Sequence, residues 1–157
     1  METIKLDNAE GDFKYALSEQ PGAEKLMCCF TCMTCVTSCP VTEVHPEFSP
    51  LRIMRMALLG LKEELLSSDE VWLCSSCYAC QERCPMEVRI TDILNVIKNM
   101  AAEAGYAPTG VRAQQGIVKG DGRIYPLDDF DNKKRQKVDL PAIPTTCEVV
   151  KDLFPDN

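Results

Sequence analysis

Eight cysteines stand in two copies of one pattern. The first copy is Cys29-x-x-Cys32-x-x-Cys35-x-x-x-Cys39-Pro40, and the second is Cys74-x-x-Cys77-x-x-Cys80-x-x-x-Cys84-Pro85. A cubane cluster has four irons, each needing one thiolate. Three thiols at two-residue gaps can wrap one side of the cube within a single tight loop. The loop N–H groups then turn toward the sulfurs and stabilise the negative charge. The fourth iron faces away, and where two such runs occur the fourth cysteine of each ligates the other cluster. The spacing therefore predicts two [4Fe–4S] clusters with crossed ligation. Cys29, Cys32, Cys35 and Cys84 are expected around the first, and Cys74, Cys77, Cys80 and Cys39 around the second.

Two Cys₄ zinc sites would also use eight thiolates. Zinc sites rarely want three cysteines at successive two-residue gaps plus a fourth followed by proline. A secreted disulfide scaffold fits less well still, since the chain carries two good amphipathic helices and no evident signal peptide. Of the ten cysteines, the two outside the runs are expected to be no ligands. Cys28 adjoins a ligand and is expected as a buried or half-exposed thiol, and Cys147 as a structural one. His45, the single histidine, is expected to make a loop contact. Phe30, Trp72 and Tyr78 lie beside ligands, where they would keep water off the clusters and tune their potentials.

There is no Gly-rich phosphate loop, no G-x-S-x-G elbow and no histidine-based acid–base pair. With all eight motif thiolates committed as ligands, no catalytic residue is expected. The chain reads as one that moves electrons.

The elements that must position these loops are helical. Ser49 and Pro50 suit an N-cap and a first helical position. Leu51, Met54, Leu58, Leu61 and Leu65 follow at three- and four-residue steps, predicting one amphipathic helix that carries Gly60 inside it. Gly60 would cost such a helix about 1 kcal/mol relative to alanine, unless packing or a close neighbour explains it. After the second run, Thr91 reads as an N-cap, Ile93, Ile97, Met100 and Ala104 as an inward face, and Gly105 as the stop. Met54, Met56 and Met100 read as core. The two helices stand in similar relation to their cysteine runs, suggesting an internal repeat of cluster loop followed by helix. Short helical turns are expected at 12–20 and 69–73. Beyond Thr109 a short helix over 111–118 is expected, broken by Gly120-Asp-Gly122. Prolines at 126, 141, 144 and 155 and alternating charge runs follow.

The predicted fold class is mainly α: an α-helical ferredoxin domain over 23–107, preceded by an N-terminal segment, 1–22, and followed by an extended C-terminal arm, 108–157, suited to lie along a partner. The net charge of −7 argues against nucleic acid or an anionic membrane as the main partner. Lys133-Lys134-Arg135 with Lys137 is the one local basic run. The charge-free stretch 26–42 is too polar and cysteine-rich to span a bilayer, so a cytoplasmic protein is expected.

The segment from Cys29 to Gly105 resembles the C subunit of heterodisulfide reductase beyond its ligands. The resemblance lies in His45-Pro46, in the helix segment Arg55–Glu64, in Trp72-Leu-Cys-Ser-Ser-Cys-Tyr-Ala-Cys-Gln-Glu-Arg-Cys-Pro85 and in Ile90-Thr-Asp-Ile93. Met33 stands where many relatives are expected to have glycine. The resemblance implies an α-helical ferredoxin that wires two partners together. One is a flavin- and cluster-rich (HdrA-like) subunit that supplies electrons by flavin-based bifurcation. The other is a CCG-motif (HdrB-like) subunit that cleaves the disulfide of coenzyme M and coenzyme B. The alternative is an iron–sulfur subunit of a quinone-linked succinate, fumarate or glycolate oxidoreductase, which shares the helical ferredoxin fold. Clusters that are structural in a scaffold would be a third reading.

Overall fold

The computed structural model describes residues 6–151, which hold helices and turns and no strand. The chain divides after Ala107 into two compact units.

In the first unit, α1 (Phe13–Ser18) buries Phe13 and Leu17. Two short helices lie in and after the first cysteine run, α2 (Thr34–Thr37) and α3 (Pro40–Val44). The helix expected next starts as its sequence suggests. α4 (Pro50–Leu59) is capped by Ser49, whose hydroxyl accepts the Arg52 N–H at 3.3 Å, and Pro50 takes the first position.

It does not run on to Leu65. The chain breaks at Gly60, where φ is +78°, and resumes as α5 (Lys62–Leu66). The cause is a close backbone approach: the Glu10 N–H donates to the Gly60 carbonyl at 2.7 Å, and a Cβ on Gly60 would lie 2.2 Å from the Glu10 carbonyl oxygen. Leu61 and Leu65 are buried nonetheless, because the break redirects the chain without exposing it.

The turn expected at 69–73 is a 3₁₀ turn, Asp69–Leu73, capped by Ser68. α6 (Ala79–Glu82) lies within the second cysteine run, and α7 (Ile90–Glu103) follows it. The N-cap of α7 is Arg89, not Thr91. Thr91 is the second helical residue, turned inward, and among the described residues it is the one buried polar side chain. The inward face is Ile93, Leu94, Ile97 and Ala101; Met100 is half-buried and Ala104, expected inside, is exposed. Gly105 stops the helix at φ +85°, and the Tyr106 N–H returns to the Ala101 carbonyl at 2.8 Å, an αL ending that satisfies a terminal carbonyl.

α4 and α7 form the centre of this unit. α1 packs on both, α5 joins them, and α2 meets α4 and α6. Phe48, Leu26 and Val71, all buried, close the gaps between helices.

The second unit carries α8 (Thr109–Asp121), α9 (Asp129–Gln136) and α10 (Glu148–Lys151), and α10 packs on α8. α8 passes through Gly120 and ends at Gly122, φ +67°, where a Cβ would meet the Cys147 carbonyl oxygen at 2.5 Å. A charge run without apolar periodicity does not predict α9. A capping box supplies the missing signal, with the Asp128 and Asp131 side chains each bonded to the other's N–H. Asn132 then holds Ile143 through both its N–H and its C=O, at 3.0 and 2.9 Å. Neither α8 nor α9 buries a residue. No helix among the described residues is long and apolar enough to cross a membrane.

Candidate metal centres

The two cysteine runs adopt the same backbone. In the first, Thr31 and Met33 have φ of +62° and +68°; in the second, Ser76 and Tyr78 at the same two places have φ of +53° and +64°. Each non-glycine residue in this left-handed region costs roughly 1–2 kcal/mol. Successive backbone N–H groups in such turns form concavities that receive anionic groups, iron–sulfur clusters among them. The left-handed backbone at Met33 is one that glycine would adopt without strain. Met33 and Tyr78 then cap α2 and α6, which carry Cys35 and Cys80.

Each run borders a small, partly open cavity. Cys29, Cys32 and Cys35 line the first together with Cys84, which comes from the other run. Cys74, Cys77 and Cys80 line the second together with Cys39. Phe30, Met33, Leu51, Met86 and Ile90 make most of the rest of the first wall, with Thr31 and Thr34 beside them, and Val41, Phe48, Tyr78, Thr91 and Leu94 most of the second. Among the described residues no group of His, Cys, Asp or Glu converges closely enough to hold a single ion. Thiols spaced around an apolar hollow instead suit a cluster that takes one soft ligand per iron.

The thiols differ in exposure. Cys32 and Cys77 are exposed, whereas Cys35 and Cys80 are buried. Because α2 packs on α6, the two buried thiols feel each other. Burial pushes the Cys35 thiol up to about 11, with further contributions from negative charge on Cys80 and Cys29. Burial raises Cys80 too, opposed by its contact with the Thr91 hydroxyl at 3.5 Å. Cys32 is shifted down by its hydrogen bond with the Thr34 hydroxyl at 3.3 Å. The Val88 N–H donates to Cys84 Sγ at 3.4 Å, and Lys98 Nζ donates to the Cys74 carbonyl at 3.1 Å.

Phe30 and Tyr78 stand at the cavity walls as expected of shielding aromatics, but both remain largely exposed. Trp72 is half-buried against the core instead of lining either cavity. Cys28 is exposed. Cys147 lies in the second unit, its N–H donating to the Asp121 carbonyl. His45 makes its loop contact with Glu47 at 3.3 Å. Nothing in the sequence marks Thr91 and Lys98 as site residues. A threonine at a helix start reads first as a cap, and only the register of the internal repeat could have marked it as a wall residue.

Helices bearing paired thiol cavities define an α-helical ferredoxin, and the sequence matches the 4Fe-4S dicluster domain family over residues 25–88. Curated relatives extend the match over most of the chain. The C subunit of the H₂:CoB-CoM heterodisulfide,ferredoxin reductase of Methanothermobacter thermautotrophicus is 35% identical over 143 residues, 91% of this chain and 76% of the relative. An iron-sulfur C subunit of the CoB–CoM heterodisulfide reductase of Methanocaldococcus jannaschii, the one numbered 2, is 34% identical over 162 aligned positions, covering 98% of this chain and 86% of the relative. The C subunit of the ferredoxin:CoB-CoM heterodisulfide reductase of Methanosarcina mazei is 37% identical over 123 residues, 78% of this chain and 75% of the relative. The chain belongs to the family of heterodisulfide reductase C subunits, and it is an iron–sulfur protein of the [4Fe–4S] kind.

Proposed function

We propose that the chain holds two [4Fe–4S] clusters by crossed ligation and conducts electrons within a heterodisulfide reductase complex. The observation that carries this reading is the composition of the cavities: each draws three thiols from one cysteine run and the fourth from the other. When bound, each cluster supplies a site that takes up and releases one electron at a time. Cys29, Cys32, Cys35 and Cys84 would hold one, and Cys74, Cys77, Cys80 and Cys39 the other. The exposed Cys32 and Cys77 give each centre an edge toward the surface, and the buried Cys35 and Cys80 give the two a common inner side. Such an arrangement suits a conductor with an entry, an interior and an exit.

The relatives are named for the CoB–CoM heterodisulfide, and the same role is proposed here. Electrons would arrive from a flavin- and cluster-bearing subunit and leave to a CCG-motif subunit that cleaves the disulfide, in the cytoplasm. The 23–107 segment would be the conducting domain, braced by α1 from the N-terminal segment. The 108–157 segment would dock on a partner. Its exposed Ile124, Tyr125, Phe130 and Val138 support that use, because exposed apolar side chains on a unit whose helices α8 and α9 bury no residue call for a covering surface.

Cys39→Ser tests the crossing. The expected result is a changed spectrum of the centre held mainly by the second run. Loss confined to the centre of the first run, where Cys39 sits in sequence, would contradict the assignment.

A further inference from the structure

The internal repeat gives each cavity an equivalent wall, and the two walls differ in chemistry. α4 and α7 both begin one residue before a side chain that faces its own run's cavity: Leu51 is second in α4 and lines the first, Thr91 is second in α7 and lines the second. The residues before them, Pro50 and Ile90, are also exchanged, each lining the cavity of the opposite run. The ninth positions differ in the same way. Leu58 stands in α4 where α7 has Lys98, whose Nζ donates to the carbonyl of the ligand residue Cys74.

From this asymmetry we infer that α7, through Thr91 and Lys98, sets the reduction potential of the second centre and holds it more positive than the first repeat's leucines would. The inference rests on the crossed two-cluster reading. Thr91 is 1% exposed and has its hydroxyl 3.5 Å from Cys80 Sγ. A cysteine that ligates iron is a thiolate and can only accept, so in the loaded protein the hydroxyl must be the donor. One-electron reduction adds one negative charge to the centre, and a donor aimed at the sulfur stabilises that charge. In an enclosed, apolar wall such a bond is stronger than in water. The Lys98 ammonium acts in the same direction through charge, over a longer distance. The first centre keeps donors of its own, the Thr34 hydroxyl at the exposed Cys32 and the Val88 N–H at Cys84. Among the described residues that line it, none offers a buried hydroxyl.

Thr91 and Lys98 are thus positioning residues for electrons, neither of them a ligand. The test is an anaerobic potentiometric titration of the loaded full chain, followed by EPR, comparing wild type with Thr91→Val, Thr91→Ser and Lys98→Met. The second centre is identified as the one altered by Cys39→Ser. Thr91→Val removes the donor and keeps the shape. It is expected to disfavour reduction of the second centre about tenfold, as loss of one hydrogen bond to a charged group implies, which is about 59 mV for one electron. Lys98→Met should shift the same centre the same way, Thr91→Ser should stay near wild type, and the first centre should not move. Unchanged potentials in Thr91→Val and Lys98→Met at full iron content would overturn the inference, as would equal shifts of both centres. If Thr91→Val failed to retain iron, Lys98→Met alone would decide the matter. A wild-type chain that bound only one cluster would sink the two-cluster reading itself, a result distinct from unmoved potentials.

Discussion

Thr31 is a β-branched, exposed residue at φ +62°, a conformation in which such side chains are genuine outliers. It sits between Cys29 and Cys32 in the loop that lines the first cavity. Thr31→Gly removes the Cβ conflict and gives up almost no packing. The substitution should stabilise the loaded protein by about 1 kcal/mol, after allowing for the added freedom of glycine in the unfolded chain. A denaturation midpoint that fell or stayed level would show that the loop carries no such strain. At this scale the grouping of the eight thiols around two cavities is legible in the sequence, because it follows from residue type and spacing. The left-handed residues are not, because threonine, serine and tyrosine give no local hint of φ > 0, and only Met33 stands out against an expected glycine. Thr91 misleads for a related reason. Its preference for capping is local, whereas its inward orientation depends on Arg89 taking the cap and on α6 lying against α7.

Among the helices, the apolar stripes of α4 and α7 and the Ser49-Pro50 start can be read directly, since burial on one face imposes the period. The break at Gly60 cannot, because Leu61 and Leu65 keep the period across it. Here a substitution distinguishes the continuous helix from the observed structure by sign. In an uninterrupted helix Gly60→Ala would stabilise by about 1 kcal/mol. With the left-handed backbone and Glu10 in close approach, it should instead destabilise by about 2 kcal/mol or more, in the range of other strained backbone positions. Urea denaturation reads the difference. Ser49→Ala, which removes the acceptor for the Arg52 N–H, should cost about 1 kcal/mol, as helix N-caps commonly do. A change within error would mean that packing alone fixes the start of α4. α9 is hidden in the sequence because its cap lies in a dense acidic run, Asp128–Asp131, where charge looks like solvated linker instead of a helix start.

For the whole molecule, the proposed crossing of ligands between runs would make metal part of the fold. Cys39 and Cys84 each belong to one segment in sequence and to the opposite cavity in space. Binding energy at such a site is folding energy. Removing iron with a chelator should therefore loosen the contact between α2 and α6, seen as faster amide exchange there than in α4 and α7; equal protection with and without iron would argue that packing alone holds the loops. The general plan of a helical unit with two thiol-lined cavities is legible from two complete cysteine runs, while the helical content of the second unit is hidden by its prolines and charges. The most direct check on two crossed clusters is the iron and acid-labile sulfide content of the chain isolated without air, with its visible absorption followed during reduction. About eight irons and eight sulfides per chain, with absorption that bleaches and returns, is the predicted result, one full cube for each set of four thiolates. Four irons, or a colourless protein carrying zinc, would contradict it.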